Sequence, residues 1–328
     1  YELRDRGATV SSHRAKTAFG TVSHDPAASL RGAEGVIICQ PLTEYGAIVN
    51  TLAPHLVNGQ TVCLCNAPVG AALQFKNLML RRTKELQINV IEIGNLFDCA
   101  RLEGGVLLIS GMREKVSFSG VTRNETRRGL SIANAISEGL VPTSNVIERG
   151  LSDVERLLRP VLLLFSLLGG RGRDLGNFAS VINPSLTTLI TALDADIQAL
   201  ARVYQVVVPT FFETLTHFGG VGWDDADTLS QALISISQKL LDQCVVDRAS
   251  APLSGDAVAE LLKNDVRETF TLLYDLARLS RTPVPVMSSV IDLTEIVTKA
   301  DLHKSGRKLS DLGMLGLDLH EIIEVINA

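Results

Sequence analysis

The sequence predicts an α/β unit built on a mostly parallel sheet, followed by an all-helical unit, and three observations carry that prediction. Over residues 1–142 short continuous apolar runs alternate with helical patterns, the rhythm of strand–helix–strand units with short connections. From 143 to 328 long helical patterns follow one another with no strand-like run between them. The length, 328 residues, is that of roughly two domains at about 150 residues each. The junction falls at Val141-Pro142-Thr143, dividing the chain into 1–142 and 143–328.

The elements follow in order. Tyr1 to Arg6 reads as the tail of a helix, and Ala8-Thr9-Val10 as a short strand. Gly35 to Gln40 is a continuous apolar run closed by Pro41, as in a strand buried on both faces. Ile48, Val49, Leu52 and Leu56 recur at helical spacing, with Asn58-Gly59 as the stop. Thr61 to Cys65 is the next strand, a Pro-Gly turn follows, then a helix from Ala71 to about Leu86. Ile88 to Ile93 is a third strand; Val106–Ser110 and Lys115–Ser119 read as smaller strands at the sheet edge. In the second unit, helices are expected over Asn145–Leu168, Ser185–Tyr204, Thr228–Leu241, Val258–Leu279 and Pro285–Val297.

Composition narrows the function classes. Hydrophobic residues make up 46% and charged residues 20%, as in a packed globular chain. A net charge of -5 supplies no basic excess for nucleic acid. The longest apolar stretch, Val161 to Leu168, is far short of the roughly 20 residues of a membrane span, and the charged opening is unlike a signal peptide. Five sparse cysteines with no metal-ligand pattern fit a reducing, cytoplasmic setting. Cys63 and Cys65 share one strand face, as a metal pair or as two core thiols, and Cys39 sits in a run that reads as buried. His13, His24, His55, His303 and His320 have no partner at ligand spacing, so no metal site is expected. The glycine-dense segment Gly169 to Gly176 follows a leucine-rich helix, not a strand, and reads as a helix C-cap and loop, not a phosphate cradle.

Several runs together resemble the opine dehydrogenase family (octopine- and nopaline-dehydrogenase-like enzymes). These are Ala33 to Pro41, Asn58-Gly59-Gln60, Asn66 to Phe75, Glu92 to Arg101 (EIGNLFDCAR), Asn183 to Pro209 and, most specific, Lys304 to Gly313, similar to the family's C-terminal GRxLxxLGL signature. The resemblance implies a Rossmann-like domain binding NAD or NADP, followed by a helical dimerisation and substrate domain. It implies reductive condensation of an α-keto acid with the amino group of an amino acid, and a homodimer. It places Gln40, Pro41, Asn66, Pro68, Gly70 and Glu92 at the cofactor. It also implies that roughly forty residues carrying the first strand, glycine loop and helix precede Tyr1.

The acid/base of the family is a histidine followed by proline, paired with an aspartate. Here Arg159 precedes Pro160 at that position, and Asp265 matches the aspartate. Arginine stays protonated and binds anions without shuttling protons. Arg159 and Asp265 are therefore the candidate catalytic pair; Arg159 reads either as a carboxylate-binding cleft residue or as an ion pair with Glu155 one turn earlier. His217 is a further substrate-binding candidate, or a helix C-terminal histidine facing the dipole. Glu260 stands where the family carries a substrate-binding arginine, and two glycines of the Asn66–Phe75 turn are replaced by alanine. These departures favour a second expectation beside the first, a catalytically degenerate relative acting as a dimeric binding module.

Overall fold

The computed structural model describes residues 2–5, 14–16, 23–83, 86–103, 106–169, 182–218, 228–234 and 254–328. Its centre is a five-stranded sheet of β3 (Gly35–Ile38), β4 (Thr61–Leu64), β5 (Asn89–Ile93), β8 (Val116–Gly120) and β9 (Leu140–Pro142), in that spatial order. Strands β3, β4 and β5 run parallel, with Ile38 opposite Leu64 and Cys63 opposite Ile91. Strand β8 turns antiparallel to β5, and β9 lies parallel to β8. A second, four-stranded sheet has the order β2 (Arg14–Lys16), β1 (Glu2–Asp5), β7 (Val106–Met112), β6 (Phe97–Glu103).

Two expectations are corrected here. The charged opening is a strand rather than a helix tail, because Leu3 to Asp5 pair in parallel with Leu107 to Ile109, a ladder that local pattern does not reveal. The run from Val106 is not at the edge of the main sheet: it forms a hairpin with β6 in the second sheet, and β8 packs inside the first with β9 as its edge. Ala8-Thr9-Val10 lies outside the described residues.

Helices α1 (Pro26–Leu30), α2 (Tyr45–Leu52), α3 (Ala71–Leu80) and α4 (Arg123–Ile136) connect and cover the strands. One face of the sheet, with Cys63, Ile91, Ile93 and Phe118, packs under Ile132, Ala133 and Ile136 of α4. The other face joins a core that continues from Val62, Leu64 and Phe75 into Leu157, Ile190, Leu272 and Ile291. The helices beyond Pro142 are thus fused to the sheet by shared apolar burial, at about 25 cal/mol per Å² removed from water.

Those helices are α5 (Val146–Leu151), α6 (Val154–Leu168), α7 (Pro184–Val203), α8 (Phe211–Phe218), α9 (Gly255–Asp265), α10 (Thr271–Leu279), α11 (Pro285–Thr298), α12 (Leu302–Ser305) and α13 (Leu319–Asn327). The expected Asn145–Leu168 helix is broken at Asp153, whose carboxylate accepts from Arg156 N and starts α6. Gly169 caps α6 as expected, and residues 170–181 lie outside the described set. The Val258–Leu279 pattern is continuous in space but passes through a wider π turn, Val266–Phe270, between α9 and α10. Asp194 and Asp196 of α7 serve as helix caps. Asp196 is buried and accepts from Val286 N and Met287 N at 2.9 Å each, at the start of α11, while Asp194 accepts from Phe211 N at the start of α8. Among the described residues, no helix is long and apolar enough to cross a membrane.

Candidate active site

Parallel α/β sheets leave a crevice outside the carboxyl ends of their strands, where connections diverge. Here that rim is formed by Gln40 and Pro41 after β3 and by Asn66 after β4, all three exposed. Asn66 holds a left-handed backbone, φ 50°, a conformation asparagine tolerates better than most residues. Arg156 of α6 fixes it, donating to the Asn66 carbonyl and, at 2.7 Å, to its Oδ1.

Pro68, Gly70 and Glu92 occupy a different place from the rim residues with which the sequence grouped them: all three are buried. Gly70 begins α3 with a left-handed φ of 69° and no side-chain cap of its own. Glu92 of β5 supplies that cap, accepting from Ala72 N at 2.9 Å and Gly70 N at 3.3 Å. A carboxylate thus already occupies the positive end of α3 that would otherwise attract a phosphate. Glu92 also accepts from Arg149 Nε at 2.7 Å, with both side chains fully buried. Arg149 reaches Ala67 O at 2.8 Å and Asp153 at 3.2 Å. Burial pushes the Glu92 carboxyl upward while Arg149 and the α3 amides pull it back; burial opposes the charge of Arg149, but Glu92 and Asp153 outweigh it.

The C-terminal signature closes over the same loop. Arg307 donates to Val69 O at 2.9 Å, to Glu268 O at 2.7 Å and to Gln74 Oε1 at 2.9 Å, and its backbone N–H reaches Arg267 O. The carbonyls released by the π turn therefore find donors in this one residue. Gly306 is required because a Cβ there would stand 2.4 Å from Thr271 Cγ2 and 2.5 Å from the Leu302 carbonyl. Leu312 packs on Gly70. The most specific motif in the sequence thus clasps Val69, Gly70 and the start of α3 against the helices.

One helical turn beyond Arg156, Arg159 makes a bidentate pair with Asp265 at the end of α9, with Nε–Oδ2 at 2.6 Å and a second bond from Nη2 to Oδ1. The two candidate catalytic residues are therefore a single unit. The alternative partner, Glu155, is engaged elsewhere, by Arg113 at 2.6 Å and Asn95. Burial works against the Arg159 charge, but the hydrogen-bonded Asp265 outweighs it and holds the guanidinium above its ordinary value. Arg159 is a permanent cation, 40% exposed, and its Nη1 has no hydrogen-bond partner among the described residues. The arrangement can bind an anion; it offers no imidazole-like proton carrier.

His217 belongs to the last turn of α8, but its side chain, like those of Cys99 and Cys244, lies outside the described residues. His303, expected to lack a partner, bonds to Asp292 at 2.8 Å, and its backbone N–H bonds to Glu295. Asp292, Glu295 and His303 thus converge at the end of α11, their candidate ligand atoms within 4.8 Å of one another. The buried pairing of Glu92 with Arg149 was the main feature missed from sequence, which placed Glu92 at the cofactor; its one available signal was a glutamate inside an otherwise apolar strand run.

No family model matches the chain. In sequence it is 23% identical over 321 residues to the opine dehydrogenase of Arthrobacter sp. (strain 1C), covering 96% of this chain and 86% of that protein. In structure it is similar to octopine dehydrogenase solved with NADH and L-arginine, with TM-score 0.76, 13% identity, and coverage of 98% of this chain and 85% of the other. It is also similar to yersinopine dehydrogenase, with TM-score 0.66, 15% identity, and coverage of 99% and 85%. Along nearly its whole length the chain is thus similar in sequence to an opine dehydrogenase, and it shares the octopine dehydrogenase fold, a Rossmann-like sheet followed by helices.

Proposed function

We propose that the chain is an NAD(P)-dependent oxidoreductase of the opine dehydrogenase type, reductively joining an α-keto acid to the amino group of an amino acid. The observation that carries the reading is the Arg159–Asp265 pair. It brings together, across 106 residues, the two positions that the family resemblance assigns to the acid/base and its aspartate. The rim at Gln40, Pro41 and Asn66 is where the nicotinamide cofactor would lie, since ligands of open parallel sheets sit at the strands' carboxyl ends. The cofactor supplies the hydride. Arg159, with Asp265 spanning its Nε and Nη2 edge, presents Nη1 to a substrate carboxylate. The solved relatives named above include one bound to NADH and L-arginine. Residues 1–142 would form the cofactor domain and 143–328 the substrate and dimerisation domain.

The permanent charge of Arg159 favours a second reading, a relative that binds cofactor or carboxylate ligands as a homodimer and no longer turns over. NADH and NADPH titrations, followed by loss of nicotinamide absorbance in the presence of keto acid and amino acid pairs, separate the two. Turnover by the native chain establishes the first. Cofactor binding without turnover, with turnover appearing in Arg159→His, establishes the second. No binding of either nucleotide by the complete protein refutes the first reading, and a dimer that then binds carboxylate ligands supports the second.

A further inference from the structure

Strands β3 and β4 are parallel neighbours, with Ile38 opposite Leu64 and Cys65 N donating to Ile38 O at 2.9 Å. Cys39 and Cys65 each directly follow the last paired residue of their strand, so continuing that register by one residue sets them side by side. Adjacent strands lie about 4.8 Å apart, and in-register side chains point to the same face. That spacing lies within the roughly 4.4–6.8 Å Cα separation of disulfides. The two thiols are near enough to perturb each other's ionisation. Cys39 is exposed and Cys65 half-buried, while Cys63, on the same face opposite Ile37, is fully buried.

We propose that Cys39 and Cys65 are a reversible dithiol–disulfide pair at the mouth of the crevice, oxidised by a low-molecular-weight disulfide such as glutathione disulfide. The Cys39 thiolate attacks one glutathione sulfur; the glutathione S–S bond breaks, a Cys39–glutathione bond forms, and one glutathione thiolate leaves. Cys65 then gives up its proton and attacks the Cys39 sulfur, forming Cys39–Cys65 and releasing the second glutathione. The protein loses two electrons and two protons, which reappear in two molecules of glutathione thiol. The bond ties together the strand ends that carry Gln40, Pro41 and Asn66.

The order of attack follows from the local electrostatics. The hydrogen bond from Cys65 brings the Cys39 thiol down to about 6 against the opposing effect of burial, so Cys39 is the thiolate at neutral pH. Cys65 is held protonated as the donor, and once Cys39 is capped by glutathione that hold is released. Burial raises Cys63 to about 12 and keeps it inert.

The test equilibrates the full chain in glutathione buffers of graded oxidised-to-reduced ratio, traps free thiols by alkylation under denaturing conditions and maps the peptides by mass spectrometry. The expected result is a Cys39–Cys65 cross-link that forms in a single two-electron transition and is reversed by dithiothreitol. Cys65→Ser should instead accumulate the Cys39–glutathione adduct, and Cys39→Ser should leave Cys63 and Cys65 alkylatable. A bond between any other cysteine pair, a stable glutathione adduct on Cys39 in the native chain, or both thiols remaining free across the whole series would overturn the proposal. None of these readouts depends on turnover or nucleotide binding.

Discussion

Replacing Arg149 by methionine tests whether the buried charges hold the crevice loop in place. The native guanidinium makes three hydrogen bonds, to Glu92, Asp153 and Ala67 O, and neither it nor Glu92 is exposed at all. Methionine keeps most of the volume and removes all three bonds. It leaves the Ala67 carbonyl without that donor and strands a carboxylate whose remaining direct donors are two backbone amides of α3. Breaking a buried pair on one side costs about 3–5 kcal/mol, most of it the uncompensated charge. At about 2 °C per kcal/mol, that loss lowers the melting midpoint by about 6–10 °C. Urea unfolding of Arg149→Met, Glu92→Gln and the double variant forms a thermodynamic cycle. Removing both charges should recover about 2–3 kcal/mol relative to the sum of the single losses. Because the pair is shielded from solvent, the coupling should persist in high salt. A single-variant loss below about 1 kcal/mol, or strictly additive effects, would refute the reasoning.

Other expectations follow from the same geometry. Gly306→Ala should destabilise the chain by about 1–3 kcal/mol in urea unfolding, because the new methyl meets the Leu302 carbonyl and Thr271, and backbone cannot step aside as a flexible side chain can. Asp196→Ala removes the acceptor for two amides of α11 and should cost about 1–2 kcal/mol, with Asp196→Asn recovering part of it; equal losses in both variants would exclude a capping role. Asp265→Asn should weaken the hold on Arg159 and raise KM for a keto acid more than it lowers kcat; the opposite split would assign Asp265 to proton transfer. The alkylation rate of Cys39 should climb through pH about 6, as its lowered thiol ionises, and level off above about pH 7. In Cys65→Ala, without the donor, the inflection should move upward; an unmoved inflection would show that Cys65 does not set it.

The elements around β3, β4 and β5 and most of the helices were legible because their signals are local. Continuous apolar runs ended by proline or asparagine mark buried strands, and apolar spacing of three to four residues marks helices. The Arg159-Pro160 dipeptide and Asp265 were legible as departures from and matches to a family pattern. Their bidentate bond was not, since 106 residues separate them and nothing local selects Asp265 over Glu155, one turn away.

Burial of polar groups was the least readable property. Asp194 and Asp196 lie on a helix whose sequence suits solvent, yet their surroundings are decided by where α8 and α11 begin in space. Cys39 sits in an apolar run and was read as buried; it is exposed because β3 ends the order of the described sheet, and coverage of a strand belongs to its neighbours rather than to its own residues. Glu92 shows the converse: a charge inside a strand is tolerable only because Arg149, 57 residues on, and the start of α3 converge on it. Periodicity along the chain thus determined which segments become strands and helices. Only tertiary structure decided which charges are paired and which thiols meet, because those energies depend on distances and dielectric surroundings that exist only once the chain has packed.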